Sequence, residues 1–407
     1  MRNLSNFFRF FFRRPARASA TRVFGVCCAV LAGCSTAGTT CATPVTLAPS
    51  AAAEGLRLVL DHPDAPPGDT IEIFVCAVPV GTTDPTYGAM ALRLPLDPGT
   101  IAAQLGAGVT PYFEQLSHGA YSPRFIAGSV LDMSTDELHD HCVERALNAS
   151  DPAATTVLVV ATAEHLASEP GGWGRPGSPC SAAVCPASIT RRAAYVGASD
   201  FHPDNGPEPL LDLIEHEIGH TLDLPHSGDL GDEHASDLDL MSNSAAPRDV
   251  EPQRRSGQDT LAIDRLALGW LPASAIAVMG PDGGTVDLAP STGTTGLRLL
   301  VLPLDPLRFI TVEQLPASGL DDFLPAGGIA VHLVDANASA CGRNRPTDGP
   351  CTGVDRRQIT LGSSAPHLDL LSISGQTWHV ERWDITLQRA AGKGRTEARV
   401  AVTPTQR

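Results

Sequence analysis

The stretch Glu215-His216-Glu217-Ile218-Gly219-His220-Thr221-Leu222-Asp223-Leu224-Pro225-His226 constrains this chain more than any other. On a helix, His216 and His220 stand at i and i+4, project from one face and can grip one ion. Glu217, one residue round, is placed to hold a water beside that ion rather than to bind the ion itself, which makes it the natural general base. Leu210, Leu211, Leu213, Ile214, Ile218 and Leu222 supply apolar surface, Pro209 suits a first-turn position, and Glu208 and Asp212 favour the positive end. Together they predict a helix over Pro209 to Leu222, stopped by Pro225. A sharp turn near Asp223 would return His226 to the ion. Three neutral imidazoles leave a fourth tetrahedral position for water, the donor set of catalytic rather than structural zinc.

These residues resemble the metzincin metallopeptidases, whose pattern is HExxHxxGxxH followed by a methionine-containing turn. His216, Glu217, His220 and His226 match in type and spacing, and Met241 in Asp239-Leu240-Met241-Ser242 looks like that turn. The family's glycine is replaced by Asp223, one of the few other residues that enters the left-handed region at modest cost. The stretch from Val109 to Gly119 and the Leu268-Gly269-Trp270-Leu271 stop are similar to gametolysin-like and related bacterial secreted metallopeptidases. The resemblance implies an α/β catalytic domain with a mixed sheet and a zinc-binding helix, one catalytic zinc ion, and protein or peptide substrates. Met241 would then pack beneath the ligands. A catalytically inactive, surface-anchored binding protein on the same fold is the competing reading.

Residues 1–33 carry six arginines, no acid and an apolar run from Val23 to Ala32, as a secretory signal does. The run is half of the roughly twenty residues a membrane-spanning helix needs. It ends in Leu31-Ala32-Gly33-Cys34, which resembles a bacterial lipobox, so Cys34 is the expected site of a lipid anchor and Ser35 leans towards the outer membrane. An ordinary signal cut further on, giving a secreted or periplasmic protein, is the alternative. Residues 34–54 read as a tether.

The formal net charge of −16 includes the basic leader, so the remainder is more acidic still, which argues against nucleic acid as a partner. In an oxidising compartment Cys180 with Cys185 and Cys341 with Cys351 are the simplest disulfides, and Cys76 with Cys142 a weaker one. The acids between Asp61 and Asp69 could bind a structural calcium ion, although a solvated loop is the simpler reading. Asp200, Asp204 and Glu208 read likewise as solvated acids. His165, His202 and His234 lack helical spacing to the motif and are not assigned to the metal.

Length favours two domains, a catalytic one over residues 55–272 including N-terminal strands, and a β-rich one over 273–407. Within the first, strands are expected over Gly55 to Leu60, Thr70 to Val80, Ala91 to Leu96 and Thr155 to Ala163. Helices are expected over Thr100 to Leu116, Thr135 to Ala149, from a Ser134-to-Glu137 capping box, and Asp259 to Leu268. Beyond Pro272, short runs at Gly284 to Leu288, Gly296 to Pro303, Ile310 to Leu315, Gly328 to Asp335, Thr377 to Leu387 and Ala398 to Thr403 suggest a β-sandwich.

Overall fold

The computed structural model describes residues 53–60, 64–84, 88–135, 137, 139–165, 171–176, 191–228, 234–336, 355–358, 370–392 and 396–405. Cys34, Cys180, Cys185, Cys341 and Cys351 lie outside them. In the N-terminal part the order is α1 (Ala53–Leu60), β1 (Thr70–Ala77), β2 (Thr83–Asp84), β3 (Gly88–Arg93), α2 (Pro98–Leu116), β4 (Arg124–Asp132) and α3 (His139–Ala149). Next come β5 (Thr156–Ala161), β6 (Ala163–His165), β7 (Gly172–Arg175), β8 (Arg192–Val196), α4 (Asp212–Thr221), α5 (Ala246–Val250) and α6 (Ala262–Ala267). Among the described residues, strands, turns and two short 3-10 helices follow: β9 (Ile276–Val278), β10 (Gly284–Leu288), β11 (Leu299–Pro303), β12 (Arg308–Leu315), β13 (Gly328–Asp335), β14 (Asp355–Gln358), β15 (Thr377–Val380), β16 (Trp383–Arg389) and β17 (Ala398–Pro404).

The chain is thus mixed α/β. Its first sheet runs β4-β1-β5-β8-β7, parallel except for β7, which pairs antiparallel with β8. Alternation along β1 sends Ile71, Ile73 and Val75 to a face shared with Ile101 and Leu105 of α2 and Ile214 and Ile218 of α4. Phe74 and Cys76 point the other way, against Cys142, Val143 and Ala146 of α3. A sheet covered on both faces explains why β5 is an unbroken apolar run. The disulfide Cys76–Cys142 ties β1 to α3.

Helix α2 starts where Asp97 accepts the Thr100 N–H at 2.7 Å, with Pro98 in the first turn, and buries Ile101, Leu105, Val109, Tyr112 and Leu116. It ends in two left-handed residues, His118 (φ 54°) and Gly119 (φ 78°), which turn the chain so that Tyr121 stacks on Trp270 with ring centroids 6.0 Å apart. No described helix is long and apolar enough to cross a membrane.

In the C-terminal part, the sheets β14-β13-β12-β11-β9 and β10-β17-β16-β15 face each other. Leu300, Leu302, Ile310, Val312, Ile329 and Val331 from one meet Val286, Leu288, Trp378, Trp383, Ile385, Val400 and Val402 from the other in a common apolar core. The expected strand from Thr377 to Leu387 is a hairpin, broken where Glu381 adopts φ 54°. The opposite side of the first of these sheets supplies Leu299, Val301, Phe309 and Val334 to the core that also holds α2 and α4. One apolar cluster therefore runs across residue 272, and residues Ala42–Arg407 form one compact unit.

Three expectations need correction. Gly55 to Leu60 is helical: Val59 is its one β-branched residue, and Leu56 and Val59, three apart, share the buried face of α1. The motif helix begins at Asp212 rather than Pro209, because the Asp212 N–H, which a helix from Pro209 would return to Glu208 O, donates to Arg255 O at 3.2 Å. The helix from Asp259 shortens to α6 because the Ala262 N–H, which a helix from Asp259 would return to Gln258 O, donates to the Glu313 carboxylate at 3.0 Å.

Two acids also differ from a solvated reading. Asp69 is buried and accepts from Tyr121 Oη at 2.8 Å, Thr155 Oγ1 at 2.9 Å and Arg192 Nη1 at 2.6 Å, so it joins β1, β5 and β8 rather than serving as a loop ligand for calcium. Asp200 is buried as well, and burial pushes its carboxyl well above the ordinary range.

Candidate metal centre

Helix α4 carries His216 and Glu217, both buried, and His220, half-buried. It is held at its start by the Asp212–Arg248 ion pair at 2.9 Å, in which burial still pushes the Asp212 carboxyl up to about 6. At its end the Asp223 N–H donates to His220 O at 3.0 Å and the Leu224 N–H to Gly219 O at 3.2 Å. Those two bonds satisfy the last helical carbonyls and require a left-handed residue between them. Asp223 is that residue, at φ 71°. The reversal brings His226 back over the helix.

His226 Nε2 stands 3.0 Å from His216 Nε2 and 3.1 Å from His220 Nε2. Nitrogens bound to one ion at ~2.1 Å in a tetrahedron would be about 3.4 Å apart, so His226 stands within a few tenths of an ångström of that spacing from each of the other two. Protonation supports the fit. His216 Nδ1 lies 2.7 Å from Leu240 O and His220 Nδ1 2.7 Å from Leu224 O, contacts that require an N–H at Nδ1 and so leave a lone pair at each Nε2. A single proton on His226 Nε2 can satisfy only one of those lone pairs, whereas a cation satisfies all three nitrogens. Ligand atoms of His216, Glu217 and His220 lie within 4.8 Å of one another, as do those of His216, His226 and His234. The cluster could therefore hold a metal ion, with the Glu217 carboxylate beside it.

Met241 underlies the centre. It is fully buried, and its sulfur packs on Gly219 in the middle of the motif. The Met241 carbonyl accepts the Ser227 N–H at 3.1 Å, and Ser227 Oγ donates to Asp239 Oδ2. The residue after the third histidine is thus tied at two points to the turn that carries Met241. Asp239 is fully buried, and desolvation together with neighbouring Asp264 pushes it up to about 7.

Strand β7 closes one side. A β-carbon on Gly172 would stand 2.7 Å from Glu217 Oε1, and one on Gly174 2.7 Å from His220 Cβ and 2.0 Å from Glu217 O. Glycine at these alternating positions lets the helix lie directly on the strand, while Trp173 between them faces Tyr195 on the other side of the sheet.

The structure therefore brings together His216, Glu217, His220, His226 and Met241, all five named from the sequence. It adds His234, whose ring centroid is 4.8 Å from that of His226. His202 instead accepts the Asp204 N–H at 3.2 Å. Sequence reasoning also misses Gly172 and Gly174, whose Gly-Trp-Gly alternation was the available signal, and the Ser227–Asp239 bond, for which the sequence offers none. No protein-family model matches this sequence, and no curated protein matches it.

Proposed function

We propose that the chain is a zinc-dependent endopeptidase of metzincin type, acting on protein or peptide substrates outside the cytoplasm. The observation that carries this reading is the convergence of His216, His220 and His226 on one point with the Glu217 carboxylate beside it. The left-handed Asp223 and the packing of Met241 under Gly219 support the family assignment independently of the ligands. Zinc in such a site lowers the pKa of a water towards neutrality and polarises a scissile carbonyl. His216, His220 and His226 would hold it, the first two with their rings oriented by the Leu240 and Leu224 carbonyls. Glu217, largely screened from solvent, takes the proton of the attacking water and delivers it to the leaving amine nitrogen. Strand β7 is the outermost described strand of its sheet, so its outer edge offers backbone donors and acceptors to an extended peptide beside Glu217.

Export follows from the leader and agrees with the buried Cys76–Cys142 disulfide, which belongs to an oxidising compartment. A lipid on Cys34 would anchor the protein in the bacterial envelope, in the outer membrane by the serine that follows. Intact mass spectrometry of the mature protein checks it, and an unmodified start downstream of Cys34 would remove the anchor. For the activity, an unbiased peptide library is digested with the metal-loaded protein and the products are read by mass spectrometry. Internal cleavages support the endopeptidase. Their absence at full metal occupancy would sink it and leave a binding protein on this fold.

A further inference from the structure

We infer that His234 is a fourth imidazole ligand of the ion held by His216, His220 and His226, so that the resting site is closed by four nitrogens. The inference rests on the metal reading above and adds a residue that neither the motif nor its spacing supplies. A nitrogen of His234 lies within 4.8 Å of ligand nitrogens on both His216 and His226. Its ring centroid is 4.8 Å from that of His226, with the planes 76° apart, and 6.1 Å from that of His216.

His234 is an exposed side chain on a fixed base. Two residues on, Ser236 is fully buried: its N–H donates to Ser242 Oγ at 2.9 Å, and its carbonyl accepts the Asn243 N–H at 3.0 Å. Asn243 Nδ2 in turn donates to Asp237 Oδ1 at 2.7 Å. The segment bearing His234 is thereby bound to the turn that carries Met241, the same turn that accepts from His216 and Ser227. An exposed imidazole anchored in this way is directed at His216 and His226 by the fold.

Physical chemistry says what such a gathering requires. Four protonated imidazoles at these separations repel, and four neutral ones set lone pairs against each other. One cation resolves both. Four nitrogens complete a tetrahedral set, so a water or a substrate carbonyl reaches the ion only as a fifth donor or in place of His234. Of the four rings His234 is the exposed one, and it is the ligand that gives way.

X-ray absorption at the zinc edge and competition with a chromophoric chelator test this on the full chain, wild type and His234→Ala. Four imidazoles in the wild type, three plus an oxygen donor in the variant, and an affinity lowered at least about tenfold are expected, since losing even a supporting partner of a ligand costs that much. Three imidazoles in the wild type with unchanged affinity in the variant would overturn the inference and leave the peptidase reading intact. A wild type that takes up no stoichiometric zinc overturns both. Should His234→Ala fail to fold, the wild-type spectrum alone decides between three imidazoles and four.

Discussion

Met241 and Gly219 fill one space: a β-carbon on Gly219 would stand 2.4 Å from Met241 Sδ and 3.1 Å from its Cε. The glycine inside the histidine motif and the methionine that follows it in sequence are therefore a single packing feature. Glycine in a helix interior ordinarily costs about 1 kcal/mol against alanine. Here that cost permits the helix bearing His216 and His220 to rest on the turn that carries Met241.

Gly219→Ala is accordingly expected to destabilise despite its better helix propensity, since overpacking a filled site costs roughly 1–3 kcal/mol. Combining it with Met241→Ala should relieve the clash, giving a double-mutant cycle that is clearly non-additive by urea denaturation. Additive losses would mean the two side chains do not share the space.

Asp223, at φ 71°, holds the left-handed turn that returns His226. Asp223→Gly removes backbone strain from the folded chain but adds freedom to the unfolded one, so stability should move by no more than about 1 kcal/mol and zinc binding should persist. Asp223→Val places a β-branched residue at the same angle and should lose more than about 1 kcal/mol and weaken zinc together. Metal analysis alongside thermal melting reads both. Loss of zinc in Asp223→Gly would show a specific role for the carboxylate.

On the proposed reading the neighbours on α4 have different tasks, and substitution should separate them. Alanine at His216, His220 or His226 should weaken metal binding and abolish hydrolysis together. Glu217→Gln should keep about one zinc per chain while hydrolysis falls roughly 10²- to 10⁴-fold, the range for a general base. A Glu217→Gln protein that cleaves as well as wild type would refute the assigned role.

Glu313 is fully buried and accepts the Ala262 N–H at 3.0 Å, and burial pushes its carboxyl up to about 7 from an ordinary 4.5. A carboxyl raised on folding binds its proton more tightly in the native state. Its contribution is therefore fully present below about 4.5 and is lost as pH rises towards 7, on the order of 3 kcal/mol in all. In Glu313→Gln this component vanishes, so the stability of the variant should fall less between pH 4.5 and 7 than that of the wild type. Denaturant melts across that window check it, and parallel curves would exclude Glu313 as the titrating group.

What the sequence by itself determined is local. Spacing along α4 put His216 and His220 on one face with Glu217 beside them, because helical geometry is the same wherever a helix forms. The third histidine and the methionine were legible as a pattern, and the unbroken apolar run of β5 and the short C-terminal runs marked strands. Tertiary structure decided the rest, since it depends on partners distant in the chain. Leu210 and Leu211 left the helix because Arg255 O claimed the Asp212 N–H that would have closed its first turn. Gly55 to Leu60 coiled because only a helix turns Leu56 and Val59 into the same core. Asp69 and Asp200, polar in sequence, are buried by what packs around them. His234 reached the other imidazoles through the Ser236 and Ser242 contacts, which no spacing rule encodes, because a loop's path is set by the bonds at its ends and not by a repeating angle along its length.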